Sequence, residues 1–427
     1  MTKFQIILLC VFGFFILVAV AVFALYRGGA SSTQARVVIW GDIPSQDINT
    51  LLNSAPFSSD TSLTLSYVER PASTLERDFT EALASGSGPD LIILSQDQFW
   101  KNRSKLIPIP YQSLSERTFK DTFVEAGEIY LASDGVYGLP LSVDPLVLYY
   151  NRDLISEAGL AKPISYWDEL YKQTLDLSQR DQAGNLTQSA IALGETKNIK
   201  NSKDILSLLM IQAGNPIVGS LGGRTASYLN QFLDAPVLPA VSAVDFYTQF
   251  SNPTKAYYSW NRTLPEAQSR FASGDLVYYL GFASELRTLR SKNPTLNFAV
   301  APVPQSRVSG RTLTVASVRA VSLSRGSRNP SAALTAAFRL VSAESSAVIW
   351  STMWLAPARR DLLSQRPTDA VFPVFFGGAL QARSWLDPDA VSSEKIFADM
   401  IDTVTSGRAR TTEAVSKAND QLDALIK

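Results

Sequence analysis

The chain has 427 residues, 46% hydrophobic and 18% charged, with 39 basic against 39 acidic residues. That length exceeds one ordinary core and predicts two or more lobes. The composition excludes a disordered chain, and the balanced charge leaves no electrostatic footprint for nucleic acid.

Histidine is absent, and the one cysteine is Cys10. Their scarcity removes the commonest general base and metal ligand, cysteine zinc sites and any intrachain disulfide. No metal or other cofactor is expected. From Phe4 to Tyr26 there is no charged residue. As a helix this run spans about 34 Å, enough for a hydrocarbon core of about 30 Å. Lys3 before it and Arg27 after it favour an N-terminus kept inside. We expect an uncleaved membrane anchor over residues 1–27, because a signal peptide usually has a shorter apolar core. Val22–Ala24 keeps open the alternative of a cleavage site. Residues 28–35 read as a flexible tether.

The folded part opens with a strand at Val37–Trp40, helical character over 47–53, and a strand at Leu63–Val68. Ser73–Glu76, "STLE", reads as a capping box opening a helix to about Ala84. A third strand follows at Leu91–Leu94. This β-α-β-α-β order predicts a mainly parallel sheet covered by helices. Ligands of such sheets bind beyond the carboxyl ends of the strands. Trp40, Gly41 and Asp42 follow the first strand; Ser95, Gln96, Asp97 and Gln98 follow the third. Two polar clusters on one rim, one with an aromatic, make a candidate site; ordinary polar loops are the alternative.

Val136–Leu154 reads "VYGLPLSVDPLVLYYNRDL". It is strand-like, yet Asp144-Pro145 interrupts it. Proline has no N–H for a ladder, and a carboxylate is costly to bury unpaired. Further on, Ser165–Asp168 reads as a second capping box, with Trp167, Leu170, Tyr171 and Leu175 on one helical face. Asn329-Pro330 opens another helix. Val415, Ala418, Leu422 and Ile426 stripe the C-terminal helix as core.

Seven fragments, in order, resemble one family. They include "GSGPDLIILSQDQF" (86–99), "DGVYGLPLSVDPLVLYYNRDLISEAGL" (134–160), "PISYWDEL" (163–170), "FASGDLVYYLGF" (271–282), "FAVAPVPQ" (298–305), the segment through Pro357-Ala358-Arg359, and "SGRARTTEAVSKANDQLDAL" (406–425). The chain resembles extracellular solute-binding protein family 1, the sugar-binding proteins of ABC transporters that include maltose-binding protein. The resemblance implies an α/β, two-lobe, periplasmic-binding-protein-like (type II) fold with a ligand cleft between the lobes. It implies lobe one from 36–144 plus about 301–345, and lobe two from 145–300 plus about 346–427. Asp144-Pro145 would lie where the chain crosses between lobes, leaving one sheet before joining the next, with Asp144 facing the cleft. A turn-capping role for Asp144 is the structural alternative.

The resemblance further implies ligand-binding roles for Trp40, Asp42, Ser95, Asp97, Asp144, Trp260, Phe282 and Trp354. Carboxylates would bind hydroxyls through charge-assisted bonds, and aromatics would stack on sugar faces. For each aromatic, a place in the core is the alternative. Leu94, Ala283 and Glu394 fall at positions that are aromatic in maltose-binding relatives, so the solute need not be a maltodextrin. The implied function is capture of a small solute, most simply a carbohydrate, outside the cytoplasm, with delivery to a transporter permease and no catalysis. A membrane-tethered sensor or scaffold, and a glycosidase using Asp97 and Asp144 as its carboxylate pair, are the alternatives.

Overall fold

Residues Leu139–Asn151 form one uninterrupted strand that belongs to two sheets at once. The computed structural model describes residues 35–54, 57, 63–221, 224–232, 236–307, 310–365 and 367–426. The expected anchor, and the tether up to residue 34, lie outside them. In chain order the main strands are β1 (Ala35–Gly41), β2 (Leu63–Glu69), β3 (Leu91–Ser95), β4 (Leu139–Asn151), β5 (Leu186–Ile191), β6 (Leu276–Phe282), β7 (Phe298–Ala301) and β8 (Thr314–Ser324). The helices that matter below are α1 (Ala72–Ala84), α2 (Gln96–Asn102), α3 (Ser202–Gln212), α4 (Ala343–Met353), α5 (Phe372–Gln381) and α6 (Ala390–Thr405).

The strand order runs β2-β1-β3-β8-β4-β6-β5, with β7 also on β4. β1 is parallel to β2 and β3, as the alternation of strands and helices predicts. β8 is antiparallel to β3 and to the first half of β4. The second half of β4 pairs antiparallel with β6 and β7. Pro145, opposite Ala316, is the last β4 residue paired with β8, and Leu146 is the first paired with β6. The proline therefore sits where one ladder hands over to the next, so its missing N–H costs little. The Thr314 hydroxyl donates to the Leu146 carbonyl at 2.8 Å and closes the seam. The chain does not leave one sheet before joining the other; the strand stays extended and only its neighbours change.

Two separate clusters of buried side chains result. Val37, Ile39, Phe79, Ile92, Tyr130, Val143 and Val318 belong to the first. Leu148, Trp167, Leu206, Trp260, Tyr278, Phe397 and Leu422 belong to the second. All five residues of β3 are buried, as expected of a strand covered on both faces.

Three expectations need correction. The helix α1 starts at Ala72 behind Pro71, and no side chain caps it. Proline's fixed φ and absent N–H suit the entry to a helix and set the start ahead of the "STLE" box. In the helix Glu169–Leu177 the buried positions are Leu170, Thr174 and Leu177, while Leu175 is exposed. The buried spacing of four and then three follows the helical period. The lobe-one segment expected over about 301–345 holds from Ala316 to Val341, but it starts later and runs further along the chain. Val303 and Val315 join the second core, whereas Ile349 and Met353 of α4, then Leu363, Ala379 and Ala382, join the first. The helix α5 faces both cores, with Phe375 in the second and Phe376 in the first. Neighbouring helical residues point about 100° apart.

Candidate ligand-binding cleft

The strand ends of lobe one present a polar set around Arg319. Arg319 is the only charged residue of β8 and lies opposite Ser95 on β3 and Ser142 on β4. Its guanidinium grips Asp42, just past β1, through Nε at 3.2 Å and Nη2 at 3.3 Å, a two-point carboxylate contact. Ser95 ends β3 and forms a capping box with Gln98 at the start of α2. The Ser95 hydroxyl donates to Asp97, in the first turn of that helix.

Asp144 is 7% exposed, and its Oδ1 accepts the Ser284 N–H at 2.9 Å from the turn after β6. Burial pushes its pKa up to about 6, against the Ser284 hydrogen bonds and the Arg319 charge, which lower it.

Lobe two answers with the N-terminal turn of α3 and the entry to α6. Lys203 is buried, and its Nζ contacts Asp387 Oδ2 at 2.9 Å and Ser393 Oγ at 3.2 Å. Glu394 stands 3.9 Å from the same ammonium. Burial lifts Asp204 to about 7; Lys203 opposes the rise, and Glu394, Asp97 and Asp387 add to it. Asp97 of lobe one also raises Asp387 and Glu394 of lobe two. The lobes touch beside this set, where Lys101 Nζ, on α2 with Asp97, is 2.7 Å from Asp389 Oδ2 of lobe two. Among the described residues, Arg319 pairs with Asp42, and Lys203 with Asp387 and Glu394. Such a set both accepts from and donates to hydroxyls. Among the described residues no group of three or more acidic side chains is placed to hold a metal ion.

The structure thus brings Asp42, Ser95, Asp97 and Asp144 to one place. Trp40 lies beside them, 7% exposed, its ring covered by the Arg70 guanidinium at 4.3 Å. Phe282, half-buried, ends β6 opposite Leu146, two residues before Ser284. Two aromatics fall elsewhere. Trp260 has no exposed surface, and its indole N–H donates to Asn198 Oδ1 at 3.0 Å, so it is a core side chain with its polar atom already satisfied. Trp354 caps α4 in the left-handed region, φ 59°, and packs on Phe372 beneath Arg287 and Arg290. None of these contacts is a cleft carboxylate.

Sequence reasoning missed Arg319, Lys203, Asp204 and Asp387. For Arg319 a signal existed, a lone charge inside the apolar run "TVASVRAVSLS". A separate cavity of about 980 Å³ is lined by Glu125, Ile129, Gln212, Arg383 and Trp385 among others, and it contains none of the sequence candidates.

Comparisons with known proteins agree with this architecture. The family model described as "Bacterial extracellular solute-binding protein" matches residues 54–370. A galactooligosaccharide-binding protein of Bacillus subtilis is 26% identical over 153 residues, 35% of each chain. An arabinooligosaccharide-binding protein of Halalkalibacterium halodurans is 36% identical over 104 residues, 23% of each chain. These matches span about a third or less of the relatives' lengths. A cyclo/maltodextrin-binding protein solved with maltotetraose is 18% identical with a TM-score of 0.75, covering 92% of this chain and 97% of that one. A solute-binding protein of Thermotoga lettingae solved with α-D-tagatose is 18% identical with a TM-score of 0.68, covering 92% and 100%. At such identity the likeness carries the two-lobe fold.

Proposed function

We propose that this chain, which belongs to the bacterial extracellular solute-binding proteins, captures a carbohydrate between its lobes and delivers it to an ABC transporter permease. The observation that carries the reading is the pair of polar faces, Asp42, Asp97 and Asp144 on lobe one and Lys203 and Asp387 on lobe two, joined at Lys101–Asp389, beside a strand that runs unbroken through both lobes. A continuous β4 with exchanged neighbours suits a hinge that turns two rigid bodies. The saccharides named for the relatives support the choice of solute. Asp42, Ser95, Asp97 and Asp144 are the hydroxyl-binding residues of lobe one, flanked by Trp40 and Phe282. Phe4–Tyr26 holds the folded part at the outer face of the membrane.

The test is thermal unfolding and titration calorimetry of the full chain against galacto-, arabino-, manno- and malto-oligosaccharides. A saccharide at one hundred times its dissociation constant stabilises the fold by about 2.7 kcal/mol. Stabilisation by one class, lost in Asp97→Ala, supports the reading. Turnover of that saccharide, abolished by Asp97→Asn, contradicts it in favour of a hydrolase. No stabilisation by any saccharide contradicts the carbohydrate assignment.

A further inference from the structure

One lysine bridges the two lobes beside the polar cleft. Lys101 lies on α2, one helical turn beyond Asp97. Its Nζ is 2.9 Å from Glu76 Oε2, on α1 of the same lobe, and 2.7 Å from Asp389 Oδ2 of the opposite lobe. Asp389 caps α6, accepting the Ser392 N–H at 2.8 Å, and its own N–H donates to Asp387 Oδ1 at 3.1 Å. The bridge therefore abuts the Lys203–Asp387 pair. Both acids raise the lysine's pKa through their hydrogen bonds, and Lys101 lowers that of Asp389 despite burial. Among the described residues the other ion pair reaching from a lobe-one element toward the second lobe is Glu125–Arg383 at 2.7 Å. Arg383 lies beside β8 where that strand crosses between lobes, at the hinge itself.

We propose that Lys101 is an ionic latch for the cleft, shared between Glu76 on its own lobe and Asp389 on the other, and that it sets how often the unliganded protein is closed. The proposal rests on the hinge-closing reading above. When the lobes part, Lys101 leaves Asp389 but keeps Glu76, so it is never stranded without a counter-charge. Opening then costs only the second, cross-cleft contact. Lys101 is about half exposed, so that contact is one an increase in salt weakens. The latch makes closure, and through it solute affinity, dependent on ionic strength even for an uncharged solute.

The test is a pair of spin labels, one per lobe, at Arg117→Cys and Lys417→Cys in the full chain carrying Cys10→Ser, read as interlobe distance distributions at 20 mM and 1 M salt. Arg117 and Lys417 are both exposed. Without solute, the closed population should be larger at low salt and fall in 1 M salt. Lys101→Met and Asp389→Asn should lower the closed-to-open ratio about two- to five-fold at low salt and remove its salt dependence. Asn still caps α6, so Asp389→Asn takes the charge and leaves the helix start intact. Glu76→Gln, by removing the competitor, should raise the closed population. Identical distributions in wild type, Lys101→Met and Asp389→Asn at both salt levels overturn the latch if a binding saccharide still shortens the distance. A distance that neither salt nor any saccharide changes overturns the hinge reading together with the latch.

Discussion

Replacing Asp204 by Asn tests whether the cleft holds ionised carboxylates at a cost. Asp204 is half-buried, and no hydrogen bond to its side chain occurs among the described residues. Burial and the neighbouring acids raise its pKa to about 7; an unfolded Asp titrates near 3.9. The folded protein therefore binds the proton more tightly than the unfolded chain. Stability is greatest below about pH 4 as far as this group is concerned, falls as pH rises through about 4 to 7, and levels off above. A difference of about three units corresponds to at most about 4 kcal/mol. Partial water access reduces that to about 1–3 kcal/mol. Asn matches the shape without the charge, so Asp204→Asn should be more stable than wild type by that amount at pH 8 and by nearly nothing at pH 4. Urea unfolding of both proteins at the two pH values measures it. Burial raises Asp144, Asp387 and Glu394 as well, so the readout is the difference between the two proteins, not the wild-type curve. An equal pH slope in both would refute the placement of Asp204 in a desolvated acidic cleft.

Other outcomes follow from the same geometry. Lys203→Met leaves Asp387 buried without its cation and should cost about 3–5 kcal/mol in urea unfolding at pH 7; the double variant with Asp387→Leu should recover much of that loss. Trp260→Ala should cost about 3–5 kcal/mol through a cavity in the second core, with the saccharide affinity of the folded fraction unchanged. Because burial pushes Asp144 up to about 6, saccharide affinity measured by calorimetry should weaken as pH falls from 7.5 to 5, and Asp144→Asn should bind weakly with a shallower profile across that range.

Much of this fold was legible in the sequence, for identifiable reasons. The strands β1 to β3 are short apolar runs bounded by turn residues, and their order with the intervening helices specifies a parallel sheet. Asp144-Pro145 was placed at a crossing through the family resemblance, and Pro145, the last residue paired with β8, lies where the neighbours change. The continuous strand was not legible, since a change of partner leaves no mark on the residues that stay extended. The end of lobe one was set too early because α5 serves both cores, and Phe375 and Phe376, chemically the same residue, enter different cores. In the site, Asp42, Ser95 and Asp97 could be found from strand ends alone. Lys203, Asp204 and Asp387 could not, because lobe two brings them together from segments 184 residues apart in the case of the Lys203–Asp387 pair. Trp260 was overvalued because a tryptophan's sequence position does not say whether its indole N–H is already satisfied.

The most direct test of solute capture by closure is small-angle X-ray scattering of the protein with and without the saccharide that stabilises it. The account predicts that the radius of gyration falls on saturation, and that Asp144→Ala abolishes the change at the same saccharide concentration. A bound saccharide that leaves the radius of gyration unaltered, or one whose binding survives Asp97→Ala and Asp144→Ala together, would contradict it.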